Sequence, residues 1–261
     1  MNTQLFFEWL IGTFIIFSSA PIGSLIVWNR ISFVGDSLSH ASLLGVSLSY
    51  ILNINYFLLN IFLITIFLLA VFFIEIYSDI KIDAIINILT NISLSLSIIL
   101  LHIISKKKKI DMPRYFFGDL SKICFYDVII IFFASCITII VLYFYWQKFL
   151  FLIISPDLAQ INGVNILTTR FVLMFITAFT VSLAIQFFGV LLMTSLLVIP
   201  ASISYKFSSS PEYSIFISIV ISFISLSLGI FISYYYNIPI SPIIVLNLSI
   251  IFILSLIFKK N

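Results

Sequence analysis

Long uninterrupted apolar runs recur along this 261-residue chain, and they constrain its fold more than any other feature. The runs repeatedly approach the roughly 20 residues that an α-helix needs to cross a bilayer. Hydrophobic residues make up 62% of the chain and charged residues 9%, whereas a soluble domain is usually about a quarter charged. An unusually apolar soluble protein would not need runs of this length. The chain is therefore predicted to be an all-α, polytopic transmembrane helical bundle.

Charged residues, prolines and asparagines bound these runs and predict nine spans in a single domain, residues 1–261. The count becomes eight if the second or the seventh span is re-entrant. The apolar stretch from Phe171 to Ile199 is too long for one untilted span, so we divide it at Gly189. The predicted spans are Leu10–Trp28, Asp36–Leu52, Tyr56–Tyr77, Ala84–Ile104, Val128–Trp146, the two parts on either side of Gly189 ending near Tyr205, Ile215–Tyr235, and a last span ending at Phe258.

The charges and cysteines exclude several classes of partner and site. The one dense basic run, Lys106–Lys109, has no interleaved aromatic residues, so no nucleic-acid partner is predicted. Cys124 and Cys136 lack the spacing of a metal motif and are predicted to pack without a disulfide. No Walker A sequence is present, so this chain does not hydrolyse ATP by that route. Membrane lipid is predicted to surround the helical bundle.

The positive-inside tendency predicts the orientation. Nine spans with the carboxyl end inside, at Lys259 and Lys260, place the amino terminus outside. The run Lys106–Lys109 is then periplasmic, against the tendency, but the agreement of five separate positions outweighs one loop. Those five, all predicted to be cytoplasmic, are Arg30, Lys81, Lys148, Arg170 and Lys206.

The segment GDSLSHASLLG places Asp36 and His40 four residues apart at the start of an apolar run. On a helix this spacing puts both side chains on one face, about 6 Å apart along the axis. A carboxylate oxygen and an imidazole nitrogen are both good ligands for zinc and similar divalent ions. The alternative is that Asp36 caps the span while His40 is an interfacial polar residue, and spacing alone does not decide between them. Small residues around the pair should let another backbone pack closely: Gly35, Ser37, Ser39, Ala41 and Gly45.

The segment ISPDLAQINGV predicts a short helix outside the membrane core. Ser155 is a candidate cap, Pro156 suits the first helical position, and Asp157 favours the positive end of the helix. Gly163 should close the helix in a left-handed conformation.

Other polar residues carry weaker hypotheses. Gln186 and Thr194 lie in spans and are candidates to line a path, although one hydrogen bond across helices would explain each equally well. His102 is predicted at the end of a span. A solvated loop is predicted for Glu75, Asp79, Lys81 and Asp83.

Four segments together resemble the permease subunits of bacterial zinc- and manganese-uptake ATP-binding-cassette transporters. The resemblance is collinear from about Ile11 to Phe258 and is closest to the high-affinity zinc-uptake permeases of Gram-negative bacteria. The segments are GDSLSHASLLGVSL, YFFGDLS, SPDLAQINGV and FFGVLLMTSLLVIPA.

This resemblance implies a fold related to the cobalamin and siderophore importer permeases, in the bacterial inner membrane. It implies a homodimer, a cytoplasmic ATP-binding subunit, a periplasmic metal-binding protein, and Zn²⁺ or Mn²⁺ as the transported ion with no permanently bound cofactor. It assigns ion handling to Asp36 and His40. Gln186 departs from the basic residue common in relatives. The residues matching the family's coupling helix, which contacts the ATPase, are Ser155, Pro156, Asp157, Leu158, Ala159, Gln160, Ile161 and Gly163.

Two functions therefore remain open for the chain: an importer permease for zinc or manganese, and an intramembrane metalloenzyme in which Asp36 and His40 bind a catalytic metal. The helix Pro156–Ile161 distinguishes them, because an ATPase-driven permease needs it and an enzyme does not. An enzyme would also need a third ligand and a general base in one cavity. A secondary transporter is disfavoured because no inverted halves are visible in the sequence.

Overall fold

The computed structural model describes residues 2–31, 33–54, 56–78, 80–105, 117–118 and 123–257. Over these residues the chain is all-helical and contains no strand, as predicted. Its helices are α1 (Asn2–Trp28), α2 (Phe33–Leu52), α3 (Tyr56–Tyr77), α4 (Ile82–Ser105), α5 (Phe125–Ile154), α6 (Pro156–Ile161), α7 (Ile166–Phe207), α8 (Pro211–Tyr236) and α9 (Ile240–Ile257).

Seven of the described helices, all except α2 and α6, are long and apolar enough to cross a membrane. This count is lower than the predicted nine for two reasons. First, α2 has 20 residues but carries Asp36, His40 and several serines, so it is less apolar than the others. Second, the predicted sixth and seventh spans form one helix, α7, of 42 residues.

Gly189 breaks α7 at the predicted position. Its backbone has φ 71° and ψ 173°, a combination that is essentially restricted to glycine. The break separates a first half, residues 166–188, from a second half, residues 190–207. Each half is roughly 27 to 34 Å long at 1.5 Å per residue, which is close to the thickness of the hydrocarbon core.

The second half of α7 returns toward the end of the bundle where the first half begins. At the break, Ser241 Oγ, at the start of α9, lies 2.8 Å from the Phe188 carbonyl oxygen and 2.6 Å from the Phe117 carbonyl oxygen, and these two acceptors share its single proton. Near the end of α7, Lys206 Nζ donates to the carbonyl of Ser255, near the end of α9. Tyr205 lines a cavity of about 620 Å³ together with Ile154, which immediately precedes the α6 segment. Both ends of α7 therefore lie at the end of the bundle that carries α6.

The basic residues predicted to share one side of the membrane lie at this same end. Arg30 lines the cavity that also contains the last residues of α5. Arg170, in the first turns of α7, pairs with Glu75 near the end of α3. Lys81 stands just before α4, Lys148 lies near the end of α5, and Lys206 lies in the last turn of α7. The run Lys106–Lys109 and the lysines at 259 and 260 lie outside the described residues.

Helices α1 and α7 form the centre of the core, and their contact is unusually close. Gly23 of α1 lies directly against the backbone of Leu197 in the second half of α7. A Cβ atom added at Gly23 would be 2.1 Å from the Leu197 carbonyl oxygen. The side chain of Leu197 reaches Gly35 of α2, so one residue joins three helices.

Candidate metal-handling site and coupling helix

Asp36 and His40 lie on the most open stripe of α2. The stripe begins with Phe33, which is 68% exposed, and continues through Asp36, His40 and the partly buried Leu44. The side chain of Asp36 is 53% exposed and that of His40 is 26% exposed. The rest of the first three turns of α2 is buried against neighbouring helices. The two polar side chains therefore face the only side of this helix segment that no described residue covers.

The donor atoms of the pair have a separation suited to a divalent ion. His40 Nε2 lies 3.4 Å from Asp36 Oδ1. Two ligands that are each about 2.1 Å from a tetrahedral ion lie roughly 3.4 Å apart, so one ion fits between these atoms without moving either side chain. The same distance also permits a direct ion pair when the imidazole is protonated. In either state, the two donor atoms lie side by side on one face of α2.

The described part of the chain brings only two candidate metal ligands together at this position. Among the described residues, no group of three His, Cys, Asp or Glu side chains is close enough to hold a metal ion. His102, the other histidine, is exposed on α4. His40 Nδ1 is buried and has no hydrogen-bond partner within the described ranges, so the described structure does not fix its ring tautomer. Two donors suit an ion in transit better than an ion held permanently, because a structural zinc site uses four protein ligands.

Small residues let the neighbours of α2 approach closely, as the sequence predicted. A Cβ at Gly35 would lie 2.9 Å from Leu197 Cδ1, and one at Gly45 would lie 2.7 Å from Asn60 Oδ1 of α3. Between them, Ser39 and Ser42 are fully buried, and their hydroxyls donate to carbonyls within α2. The pair is thus held on a helix that is tightly packed on its buried side and open on the other.

Helix α6 has the predicted bounds, Pro156–Ile161, and the predicted termination. Gly163 has φ 71°, and its N–H donates to the Gln160 carbonyl over 2.9 Å. The N–H of Val164 donates to the Ala159 carbonyl, also over 2.9 Å, which completes a Schellman motif.

The predicted side-chain cap at the start of α6 is wrong. Ser155 occupies the N-cap position, but its hydroxyl makes no capping hydrogen bond. Its backbone carbonyl accepts from the N–H of Ala159 instead, and Pro156 at the first helical position removes one N–H that would otherwise need a partner.

The outer face of α6 is apolar and uncovered. Leu158 is 45% exposed and Ile161 is 80% exposed, and Ile154, just before the helix, is 70% exposed. Only Ala159 is fully buried in the short helix. Asp157 and Gln160 are also exposed beside these residues. Exposed apolar residues of this kind are typical of a surface that another protein or a membrane covers.

Sequence reasoning missed one polar contact entirely. Glu75 was predicted to lie in a solvated loop, but it lies on α3 and forms an ion pair with Arg170 of α7. Glu75 is the only charged residue of α3, and Arg170 is the only charged residue of the first half of α7. That isolation is a sequence signal for buried charges, although it does not identify the partner.

The two candidate path residues lie in different surroundings. Gln186 is exposed near the break in α7, while Thr194 is half-buried and its hydroxyl donates to the Leu191 carbonyl within its own helix over 3.1 Å. The contact made by Thr194 is local. Neither residue faces Asp36 or His40 through any described contact.

The chain matches the ABC 3 transport family over residues 1–259. It is 43% identical over 251 residues to the high-affinity zinc uptake system membrane protein ZnuB of Buchnera aphidicola subsp. Schizaphis graminum, covering 96% of each chain. It is 30% identical to the manganese import system permease protein ScaB of Streptococcus gordonii, covering 91% of this chain and 84% of the other.

A solved structure shares the fold. PsaBC from Streptococcus pneumoniae, in complex with a Fab, contains a chain that superposes with a TM-score of 0.83 at 26% identity. The superposition covers 97% of this chain and 91% of that one. The fold of this chain therefore matches a known architecture over 97% of its length.

Proposed function

The chain belongs to the ABC 3 transport family, and on that basis we propose that it is the permease subunit of an ATP-driven importer that moves zinc from a periplasmic binding protein to the cytoplasm. Its relatives are named as membrane proteins of transport systems, so the chain is a transporter subunit and not an enzyme. Seven apolar helices and the family indicate a multi-pass protein of the inner membrane.

Zinc is preferred over manganese because of the relatives' names and the donor set. The relative named for zinc uptake is 43% identical, and the relative named for manganese import is 30% identical. An imidazole nitrogen suits zinc well, whereas manganese favours oxygen ligands. Manganese transport by the same site is the second candidate, since Asp36 supplies an oxygen ligand.

The observation that carries the proposal is the 3.4 Å separation of Asp36 Oδ1 and His40 Nε2 on an open helix stripe. We infer that two copies of the chain pair with these stripes facing each other across a two-fold axis. Each copy would then supply two donors, and four donors complete the tetrahedral sphere that zinc prefers. Because each copy holds only half of the ligands, a small separation of the two copies would release the ion.

The exposed face of α6 is the proposed contact with the ATP-binding subunit. Leu158 and Ile161 would enter an apolar cleft of that subunit, with Asp157 at the rim. The Schellman motif holds Gly163 and Val164 against the end of α6, and Asn165 caps the start of α7, so a short ordered connection joins α6 to the transmembrane bundle.

Zinc uptake by substituted proteins tests the proposed role of Asp36 and His40 in metal transport. Asp36→Asn and His40→Ala should each reduce uptake of radioactive zinc at least about tenfold in cells that lack other zinc importers, because loss of a residue that only supports a metal ligand already costs about 10- to 100-fold in affinity or activity. His102→Ala is the matched control and should transport normally. Wild-type uptake by the Asp36→Asn/His40→Ala double variant, at normal membrane abundance, would refute the assignment.

Cross-linking tests the coupling helix. A cysteine at Gln160 should cross-link to the ATP-binding subunit in the assembled complex, whereas a cysteine at Asn237, an exposed residue just beyond the end of α8, should not. Charge reversal at Asp157 should lower metal-stimulated ATP hydrolysis while leaving metal binding unchanged. Cross-links from Asn237 but not from Gln160 would contradict the proposal.

A further inference from the structure

Glu75 and Arg170 form an ion pair between α3 and the first half of α7. Arg170 Nη1 donates to Glu75 Oε1, and the side chains are only 14% exposed for Glu75 and 28% exposed for Arg170. The pair lies at the end of the bundle that carries α6. Arg170 follows Gly163, the residue that terminates α6, by only seven positions.

Glu75 and Arg170 are partly buried, and an ion pair in such a position contributes little net stability compared with apolar residues of similar size, so the pair needs a reason beyond stability. Removal of one partner leaves an uncompensated charge. Ionisable residues in membrane helices generally have functional roles. Here each of the two helix segments uses its only charged residue for this contact.

A second polar contact joins the same helices near their other ends. Asn60 Nδ2 donates to Ser182 Oγ over 2.8 Å, and both residues are buried. Between the two polar contacts, the rings of Phe72 and Phe171 meet edge-on with centroids 5.3 Å apart. The two segments therefore run antiparallel and are fastened together along their length.

Helix α3 also contacts the helix that carries the metal pair. Asn60 packs against Gly45 of α2 so closely that a Cβ on Gly45 would lie 2.7 Å from Asn60 Oδ1. A short stretch of chain thus leads from α6 to Arg170, and contacts lead from Arg170 through Glu75 to α3 and from α3 to the helix of Asp36 and His40.

We infer that Glu75 and Arg170 are positioning residues that transmit movement of α6 to α2 and α3. This inference rests on the proposed function, because it requires an ATP-binding subunit that moves α6. A displacement of α6 carries the first turn of α7 with it. Because the ion pair joins α3 to α7, α3 moves together with α7. The close contact between Asn60 and Gly45 then moves α2, which carries Asp36 and His40. Without the ion pair, no described polar contact holds this end of α7 to α3, so the first turns of α7 slide past α3 and ATP hydrolysis is uncoupled from transport.

The ratio of zinc transported to ATP hydrolysed tests this inference in the complete permease–ATPase complex, reconstituted in liposomes with its binding protein. Glu75→Gln and Arg170→Gln should each keep ATP hydrolysis within about twofold of wild type and lower the zinc-to-ATP ratio at least about tenfold. The swapped variant Glu75→Arg/Arg170→Glu should recover at least half of the wild-type ratio, because it restores the opposite charges. Glu212→Gln is the matched control: Glu212 accepts a hydrogen bond from Trp146 in an exposed position and does not touch α3.

A second measurement keeps the inference testable if the single variants assemble poorly. Cysteines at Phe72 and Phe171, joined by a short bifunctional thiol reagent, should restore the zinc-to-ATP ratio of Glu75→Gln by fixing α3 to α7. A wild-type ratio in either single variant, or an assembled swapped variant as uncoupled as the single variants, would overturn the inference while leaving the proposed function intact. Absence of zinc transport by the wild-type complex would overturn the proposed function itself.

Discussion

Replacement of Gly23 by alanine should force α1 and α7 apart next to α2, the helix that carries Asp36 and His40. The new Cβ would lie 2.1 Å from the Leu197 carbonyl oxygen and 2.9 Å from the Leu197 carbonyl carbon. Non-bonded carbon atoms are at optimal separation at about 3.5–4.0 Å, so the backbones must separate by roughly 1 Å. Rotation of a side chain cannot relieve the overlap, because both atoms belong to the backbone of a helix.

The cost of this change follows from two opposing effects. Overpacking a well-packed core costs about 1–3 kcal/mol, and the upper part of that range applies where backbone atoms collide. Alanine in place of glycine within a helix stabilises by up to about 1 kcal/mol. The net expectation is a loss of about 2 kcal/mol in the free energy of unfolding. Transport should fall as well, because Leu197 also contacts Gly35, the residue before Asp36.

Gly163→Ala is a control for the packing effect alone and not for transport, because Gly163 belongs to the segment proposed to contact the ATP-binding subunit. No atom lies within 4 Å of a Cβ at Gly163, so the change adds only the strain of a left-handed alanine, about 1–2 kcal/mol at most. It should leave the packing around Asp36 unchanged. Unfolding of the purified proteins in mixed micelles, with increasing denaturing detergent, measures both effects, and zinc uptake measures the consequence for transport. Wild-type stability and wild-type uptake for Gly23→Ala would refute the reasoning from close packing.

Three further predictions concern other contacts. In a double-mutant cycle, Asn60→Ala and Ser182→Ala should show a coupling energy of about 0.5–1.5 kcal/mol in unfolding measurements, and additive effects would contradict the buried hydrogen bond. Ser241→Ala should lower the free energy of unfolding by about 1 kcal/mol because its hydroxyl lies 2.8 Å from the Phe188 carbonyl at the break in α7, and an unchanged value would show that this contact is dispensable. A cysteine at Lys107, outside the described residues, should react with an impermeant thiol reagent added to intact cells, whereas a cysteine at Gln160 should not, and the reverse result would invert the orientation.

Much of the architecture was predictable because it depends on residues that are close together in the sequence. The bounds of α3 and α6 and the break at Gly189 follow from apolar runs, proline and glycine, whose effects act within a turn or two of helix. The shared face of Asp36 and His40 follows from helix periodicity alone. The prediction of a side-chain cap at Ser155 was wrong, because the direction in which the chain enters a helix determines whether the N-cap side chain can reach the first N–H groups.

The amino-acid sequence by itself determined that this chain forms a membrane bundle, that Asp36 and His40 share one helix face, and that a short helix follows the fifth predicted span. Hydropathy and helical spacing are local properties, so they can be determined from the sequence without knowledge of the fold. Only the tertiary structure decided that Glu75 meets Arg170, which is 95 positions away, and that Leu197 lies between Gly23 and Gly35. It also decided that the stripe of Asp36 and His40 is the uncovered side of α2. Such contacts depend on how the helices rotate and pack against one another. In lipid the helix surfaces are almost uniformly apolar, so small residues and isolated charges along the whole chain determine which faces pack together.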